Sequence, residues 1–185
     1  LSEFALENSV SGFEFLSCIP GSIGGGIRMN SGCFGSEFKD ILISVQAVNL
    51  LGEILTIPAK DINFNYRSCD LPKDLIFLSA TFEGNKKKKE EIKETINIFK
   101  TKKEKAQPTK IKTGGSTFKN PIKQTDKKVW QIIKESVPNN IQFGDAVISD
   151  KHANFFINKN NASYKDMKKL IDFVKEKVKN KSGVN

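Results

Sequence analysis

The stretch Cys18-Ile19-Pro20-Gly21-Ser22-Ile23-Gly24-Gly25-Gly26-Ile27-Arg28-Met29-Asn30-Ser31-Gly32-Cys33-Phe34-Gly35 concentrates glycine as no other part of the chain does. Seven of the 13 glycines fall between Gly12 and Gly35. Clustered glycines permit positive φ, and with no Cβ in the way their N–H groups can come close to an anion. The spacing is neither G-x-G-x-x-G nor a Walker loop, because no Lys-Ser/Thr follows the glycines. Taken alone, the stretch suits a set of tight turns as well as a phosphate cradle. It predicts a glycine-rich loop over 18–35.

Downstream the patterns are more regular. Residues 44–50 and 53–57 flank Leu51-Gly52 and predict a β-hairpin. The apolar run 75–82, ahead of Glu83-Gly84-Asn85, predicts a buried strand. In the lysine-rich segment that follows, Ile92, Ile96 and Phe99 lie one turn apart, which predicts an amphipathic helix of about 15–20 residues. That helix should end before Gln107-Pro108. Gly114-Gly115 reads as a second tight loop, Val129–Ser136 as a short helix stopped near Pro138, and residues 146–149 and 154–158 as strands. Ser163 with Asp166 three residues later is a capping signature. Met167, Leu170, Ile171, Val174 and Val178 continue it as one apolar stripe, which is core, and Gly183 is placed to end the helix. Strands and helices without regular βαβ alternation argue an α+β fold.

Composition bounds the rest. With 185 residues the chain can form one large domain or two small ones. Residues 1–85 carry a net charge of −5 and residues 86–185 a net of +14, giving +9 overall. Two halves of different chemistry suggest two subdomains with a boundary in the stretch 85–112. Of the 30 basic residues only Arg28 and Arg67 are arginines, and a lysine excess of this kind reads as genome-wide codon bias. The lysines of 86–94 alternate with acids and read as a solvated face. No zinc finger, RNA-recognition signature or aromatic ladder supports nucleic-acid binding. No apolar run approaches the roughly 18 residues a membrane helix needs. Cys18, Cys33 and Cys69 fit neither a disulfide framework nor a zinc pattern and read as reduced thiols of a cytoplasmic protein. The start at Leu1, without an initiator Met or signal-peptide features, leads us to expect a fragment.

Two further segments could carry chemistry. Arg67, in Asn65-Tyr66-Arg67-Ser68, offers a planar fork suited to a carboxylate or phosphate, or to a plain surface salt bridge. In Gly114-Gly115-Ser116-Thr117-Phe118-Lys119-Asn120-Pro121, a serine after two glycines can present its hydroxyl to donate a proton or bind an anion, or sit in a polar turn. There is no G-x-S-x-G elbow. A Ser-His-Asp triad would depend on His152, the sole histidine, and nothing else supports it.

In combination these segments resemble the UDP-N-acetylenolpyruvoylglucosamine reductases, flavoenzymes of bacterial peptidoglycan synthesis. The resemblance rests on Gly12-Phe13-Glu14-Phe15-Leu16-Ser17, the 19–35 loop, Tyr66-Arg67-Ser68, the 115–121 segment and Gly144-Asp145-Ala146-Val147-Ile148-Ser149-Asp150-Lys151-His152-Ala153, in that order. About 48 residues separate Arg67 from Ser116, as in the shorter of two family forms. The resemblance implies FAD and NADPH as cofactors and a UDP-sugar enolpyruvyl ether as substrate. It implies a partial, PCMH-like FAD-binding portion over residues 1–100 and an α+β substrate-binding domain over 101–185. By matching position Ser116 would donate a proton and Arg67 would steady an enolate-like intermediate. Tyr66, Lys119, Asn120 and His152 would line the substrate pocket. Ile19, Pro20, Gly21, Ser22, Gly24, Gly25, Gly26 and Gly32 would lie against the flavin and its pyrophosphate. No metal and no membrane partner is implied.

Two departures are expected to impair activity in this chain. Nothing corresponds to the family's N-terminal flavin subdomain, and the sequence stops before the strand that carries the family's catalytic glutamate. A smaller departure is Ser136-Val137-Pro138-Asn139-Asn140, where the family usually has a glycine-containing turn. The competing expectation is a non-catalytic remnant that binds UDP-sugars or polyanions, with salt-sensitive nucleic-acid binding through 86–128 as a third.

Overall fold

Irregular backbone needs many side-chain ties, whereas amphipathic helices need only a sheet to cover, and the chain contains one region of each kind. The structure is a computed structural model that describes residues 1–108 and 111–185. It divides into two units, Leu1–Lys103 and Glu104–Asn185.

The first unit opens with α1 (Ser2–Glu7), β1 (Val10–Ser11), a 3-10 turn at Glu14–Cys18 and α2 (Ile23–Arg28). The hairpin β2 (Gly32–Cys33) and β3 (Ser36–Glu37) follows, with a 3-10 turn at Phe38–Asp40. Next come β4 (Leu42–Val48), β5 (Ile54–Pro58), β6 (Phe64–Asn65), β7 (Ser68–Cys69), β8 (Ile76–Phe82), β9 (Asn85–Lys86) and α3 (Lys89–Ala106). β4 is the centre of an antiparallel sheet in the order β5-β4-β8, and its Val45 and Ala47 are fully buried. The expected hairpin forms with Val48 opposite Ile54. Phe13, Phe15, Phe38 and Phe82 meet edge to face beneath the sheet, the geometry that aromatic quadrupoles favour.

Two expectations for this unit need correction. The run 75–82 forms β8, but as an edge strand with an exposed outer face, where Ile76 and Leu78 lie open while Phe77 and Ala80 turn to the core. An apolar run cannot say whether both faces of its strand are covered. Residues 18–35 are not one loop: Ile23–Arg28 is helical and residues 32–37 form a hairpin. The lysine-rich helix is 18 residues long, with Ile92 and Ile96 buried and Lys89 and Lys93 exposed. It ends before Gln107-Pro108, as the proline requires.

The second unit contains β10 (Thr113–Ser116), α4 (Val129–Ser136), β11 (Gln142–Phe143), β12 (Ala146–Ile148), β13 (Phe155–Asn158) and α5 (Tyr164–Ser182). Its antiparallel sheet runs β10-β13-β12-β11. Val129, Ile132 and Ile133 of α4 join Leu170, Val174 and Val178 of α5, with Ala146 and Phe156 from the sheet, in one core. α5 starts in a reciprocal capping box between Ser163 and Asp166 and stops at Gly183 with φ +72. The Ser163 hydrogen bonds hold the Asp166 carboxyl below its ordinary range. The residues 113–116 correct a third expectation: instead of a tight loop they form β10, bulged where it pairs with β13. Among the described residues no helix is long and apolar enough to cross a membrane.

Candidate active site

The glycine stretch builds its shape around a helix cap. Ser22 is the N-cap of α2, its hydroxyl accepting from the Gly25 N–H at 3.1 Å. Gly26 faces the core, and a Cβ there would stand 2.3 Å from the Phe38 ring, so only glycine lets the helix lie this close. Ile19, Pro20, Gly21, Ser22 and Gly26 line one small hollow of about 90 Å³, together with Leu16, Ile23 and Phe38. Five of the eight residues expected at a cofactor therefore share a hollow; Gly24, Gly25 and Gly32 do not line it. The wall is backbone, apolar side chain and the hydroxyl-bearing Ser2 and Ser22, and the first N–H groups of a helix lack intrahelical acceptors. Such a wall fits the phosphate and linker portion of a dinucleotide. Cys33, in the same stretch, donates its thiol to the Phe15 carbonyl, and burial pushes its pKa up to about 11. At neutral pH the thiol therefore stays protonated.

Arg67 sits in the two-residue turn between β6 and β7, with φ +55. That conformation is uncommon for a side-chain-bearing residue and marks a place where surrounding contacts override local preference. Its Nη2 donates to the Gly32 carbonyl at 2.7 Å and its Nη1 to the Asn30 carbonyl at 3.3 Å. Its guanidinium carbon lies 5.0 Å from the centre of the Tyr66 ring. The expected salt bridge is present in long form, with the Glu37 carboxylate 3.9 Å away, and the two carbonyls are shorter contacts than it.

In the second unit Ser116 ends the bulged strand β10, opposite Phe155, and is exposed. The chain beyond it is pinned by a residue that the sequence reading passed over. Asn154 is buried, accepts the Phe118 N–H on Oδ1 at 2.9 Å and donates Nδ2 to the Phe118 carbonyl at 2.9 Å. Its own carbonyl accepts the Thr117 N–H at 2.8 Å. The only sequence signal was a polar residue directly before the apolar run that forms β13. Asn120 accepts the Val129 N–H on Oδ1 at 3.0 Å, tying the segment to the start of α4; Lys119 is exposed.

His152 belongs to a turn organised by the buried Ser149, whose hydroxyl accepts from the N–H groups of Lys151 and His152. Its Nδ1 accepts the Asn154 N–H at 3.2 Å, which places the neutral ring's proton on Nε2. Desolvation lowers its pKa from the ordinary 6.5, so the ring is uncharged at neutral pH. With Trp130, whose ring is 6.1 Å away, it borders a cleft of about 890 Å³ that also meets Asn140, Gln142 and Lys159. Asn140 adopts φ +63. The turn therefore keeps its left-handed residue without glycine, asparagine being among the side chains that best tolerate it.

Comparison with known proteins agrees along the whole chain. Residues 107–185 match the C-terminal domain of UDP-N-acetylenolpyruvoylglucosamine reductase. Over 184 residues the chain is 64% identical to the UDP-N-acetylenolpyruvoylglucosamine reductase of Pelagibacter ubique and 45% identical to that of Rickettsia typhi, matching all of this chain and 61% of each relative. The crystal structure of the enzyme from Thermus caldophilus superposes with a TM-score of 0.84 at 28% identity, covering 100% of this chain and 65% of that one. The chain thus spans about three-fifths of the length of the curated relatives it matches.

Proposed function

We propose that the chain belongs to the UDP-N-acetylenolpyruvoylglucosamine reductase family, as its similarity to those enzymes supports, and that it carries residues for reducing the enolpyruvyl ether of UDP-N-acetylglucosamine enolpyruvate to UDP-N-acetylmuramate. In this reading residues 1–100 supply part of a PCMH-like FAD-binding region and residues 101–185 the substrate-binding domain of a cytoplasmic enzyme. FAD, reduced by NADPH, supplies the hydride when bound. Ile19, Pro20, Gly21, Ser22 and Gly26 would take its phosphate and linker portion.

The chain's own work is to manage charge and a proton. As hydride adds at the β-carbon, the electron pair of the double bond moves toward the α-carbon and its carboxylate. Arg67, its plane fixed by two carbonyls, offsets that developing negative charge, a role in which preorganised donors contribute most. The Ser116 hydroxyl then gives its proton to the α-carbon, and the alkoxide left behind recovers one from solvent. A serine hydroxyl is a weak acid, so its proton is transferred only where position and neighbouring charge favour it. Tyr66, Lys119, Asn120 and His152 would hold the UDP-sugar, the neutral ring of His152 donating from Nε2.

The observation that carries this reading is the presentation of Ser116: an exposed hydroxyl at the end of a bulged strand, followed by a segment pinned on both sides by Asn154. The test is NADPH-dependent reduction of UDP-N-acetylglucosamine enolpyruvate by the protein prepared at the full length of its relatives. Arg67→Lys keeps the charge and loses the planar fork, and should lower turnover by roughly a hundredfold. Unchanged turnover in that variant would contradict the assignment of Arg67.

A further inference from the structure

Three acceptors around Arg67 come from residues 30–37: the carbonyls of Asn30 and Gly32 and the carboxylate of Glu37. Behind them stands a side-chain network that the reaction as read above does not use. Asn30 is fully buried, with φ +39. Its Nδ2 donates to Glu37 Oε2 at 2.9 Å and to the Asn65 carbonyl at 3.3 Å, while its Oδ1 accepts the Lys39 N–H at 3.1 Å. Its backbone N–H closes on the Ile27 carbonyl at 3.0 Å. Asn30 thereby joins the end of α2 through its backbone, and the β2–β3 hairpin and the strand that leads into the Arg67 turn through its carboxamide.

Glu37 is held as firmly. Oε2 takes Asn30 Nδ2 and lies 3.3 Å from Lys39 Nζ, which leaves Oε1 toward Arg67 Nη1 at 3.9 Å. That separation is too long for a hydrogen bond, so the carboxylate acts on the guanidinium through its field and its position. A buried amide with each polar atom matched to a different element tolerates no isosteric exchange, because any change orphans a donor or acceptor.

We propose that Asn30 and Glu37 are positioning residues for Arg67, fixing the plane and reach of its guanidinium from beneath without touching substrate. The proposal rests on the reading of Arg67 as the group that offsets charge on the substrate. Asn30→Asp keeps the shape and the tolerance of positive φ, but it removes both Nδ2 donations and sets a second carboxylate against Glu37. Glu37→Gln, at a half-buried position, keeps the size and removes the charge, and serves where Asn30→Asp does not fold.

The chain has only two arginines, so selective 15N-arginine labelling of these 185 residues yields just two guanidinium signal sets. Arg28, bonded to the carbonyls of Leu71, Pro72 and Leu75, is the internal control. Glu37→Gln should move the Arg67 signals and leave those of Arg28 in place. In the protein at its relatives' full length, the same variant should lower kcat for substrate reduction roughly tenfold and leave flavin reduction by NADPH unchanged. Unmoved Arg67 signals overturn the proposal. So do moved signals with full turnover in a protein that Arg67→Lys inactivates. Full turnover in Arg67→Lys contradicts instead the reading beneath it, whatever the spectra show.

Discussion

The two units solve opposite problems. In Leu1–Lys103 most strands are two residues long and 3-10 turns join them, so little regular ladder is available. Long side chains bonded to carbonyls take its place: Arg28 holds Leu71, Pro72 and Leu75, and Arg67 holds Asn30 and Gly32. In Glu104–Asn185 two amphipathic helices pack on a four-stranded sheet and one apolar core holds everything. In the proposed reading, the difference follows from what each offers a ligand. The glycine stretch presents backbone, which must be irregular to be reachable. Ser116, Asn120 and His152 present side chains, which regular elements and their turns can carry.

The sharpest way to break the first unit is at α2. Gly26→Ala drives a methyl into the Phe38 ring, 2.3 Å from its nearest atom, and should destabilise by about 3 kcal/mol through overpacking. Gly24→Ala meets Phe77 at an ordinary 3.5 Å and should be neutral or stabilising by up to about 1 kcal/mol from helix propensity. Urea unfolding of the two variants compares them; equal losses would mean that close approach is not what selects glycine at 26. In the second unit the corresponding tie is Asn154. Asn154→Ala leaves both backbone groups of Phe118 without their partner and should cost about 2 kcal/mol, read from the same unfolding curves.

A smaller effect is expected at the cap of α5. Ser163→Ala should cost about 1 kcal/mol and return the Asp166 carboxyl toward its ordinary range, which a proton titration followed by NMR would record. Smallest is the pH response of His152. Its folded pKa lies below the unfolded 6.5, so on acidification the unfolded state takes up the proton first. Stability should be greatest above about pH 6.5 and decline as pH falls from there toward the folded value. Trp130, the sole tryptophan, reports this by fluorescence, and His152→Gln should remove that part of the slope.

Legibility in the sequence followed the range of the interactions. α5 could be read to its ends because its signals are local: Ser163 with Asp166, a stripe at helical spacing, and Gly183. The hairpin of β4 and β5 and the helix α4 were legible for the same reason. α2 was hidden because three glycines oppose a helix on propensity, and what permits it is the distant ring of Phe38. β10 was hidden because Gly114-Gly115 reads as a turn until β13 pairs with it and Thr113 Oγ1 bonds the Phe156 carbonyl. At the site, Ser116 and Arg67 stood out as chemical groups, while Asn30, Glu37 and Asn154 did not. Their work is to hold other residues from seven to 37 positions away, and spacing in a single sequence carries no trace of it.

The central claim is that Ser116 gives the proton that completes substrate reduction. Rapid mixing of the full-length, flavin-loaded Ser116→Ala protein separates the two halves of the reaction. The account predicts that NADPH bleaches the flavin at the unsubstituted rate, while reoxidation by UDP-N-acetylglucosamine enolpyruvate slows at least a hundredfold, the scale of general acid catalysis. Reoxidation to UDP-N-acetylmuramate at the unsubstituted rate would show that the proton comes from another group and would contradict the account.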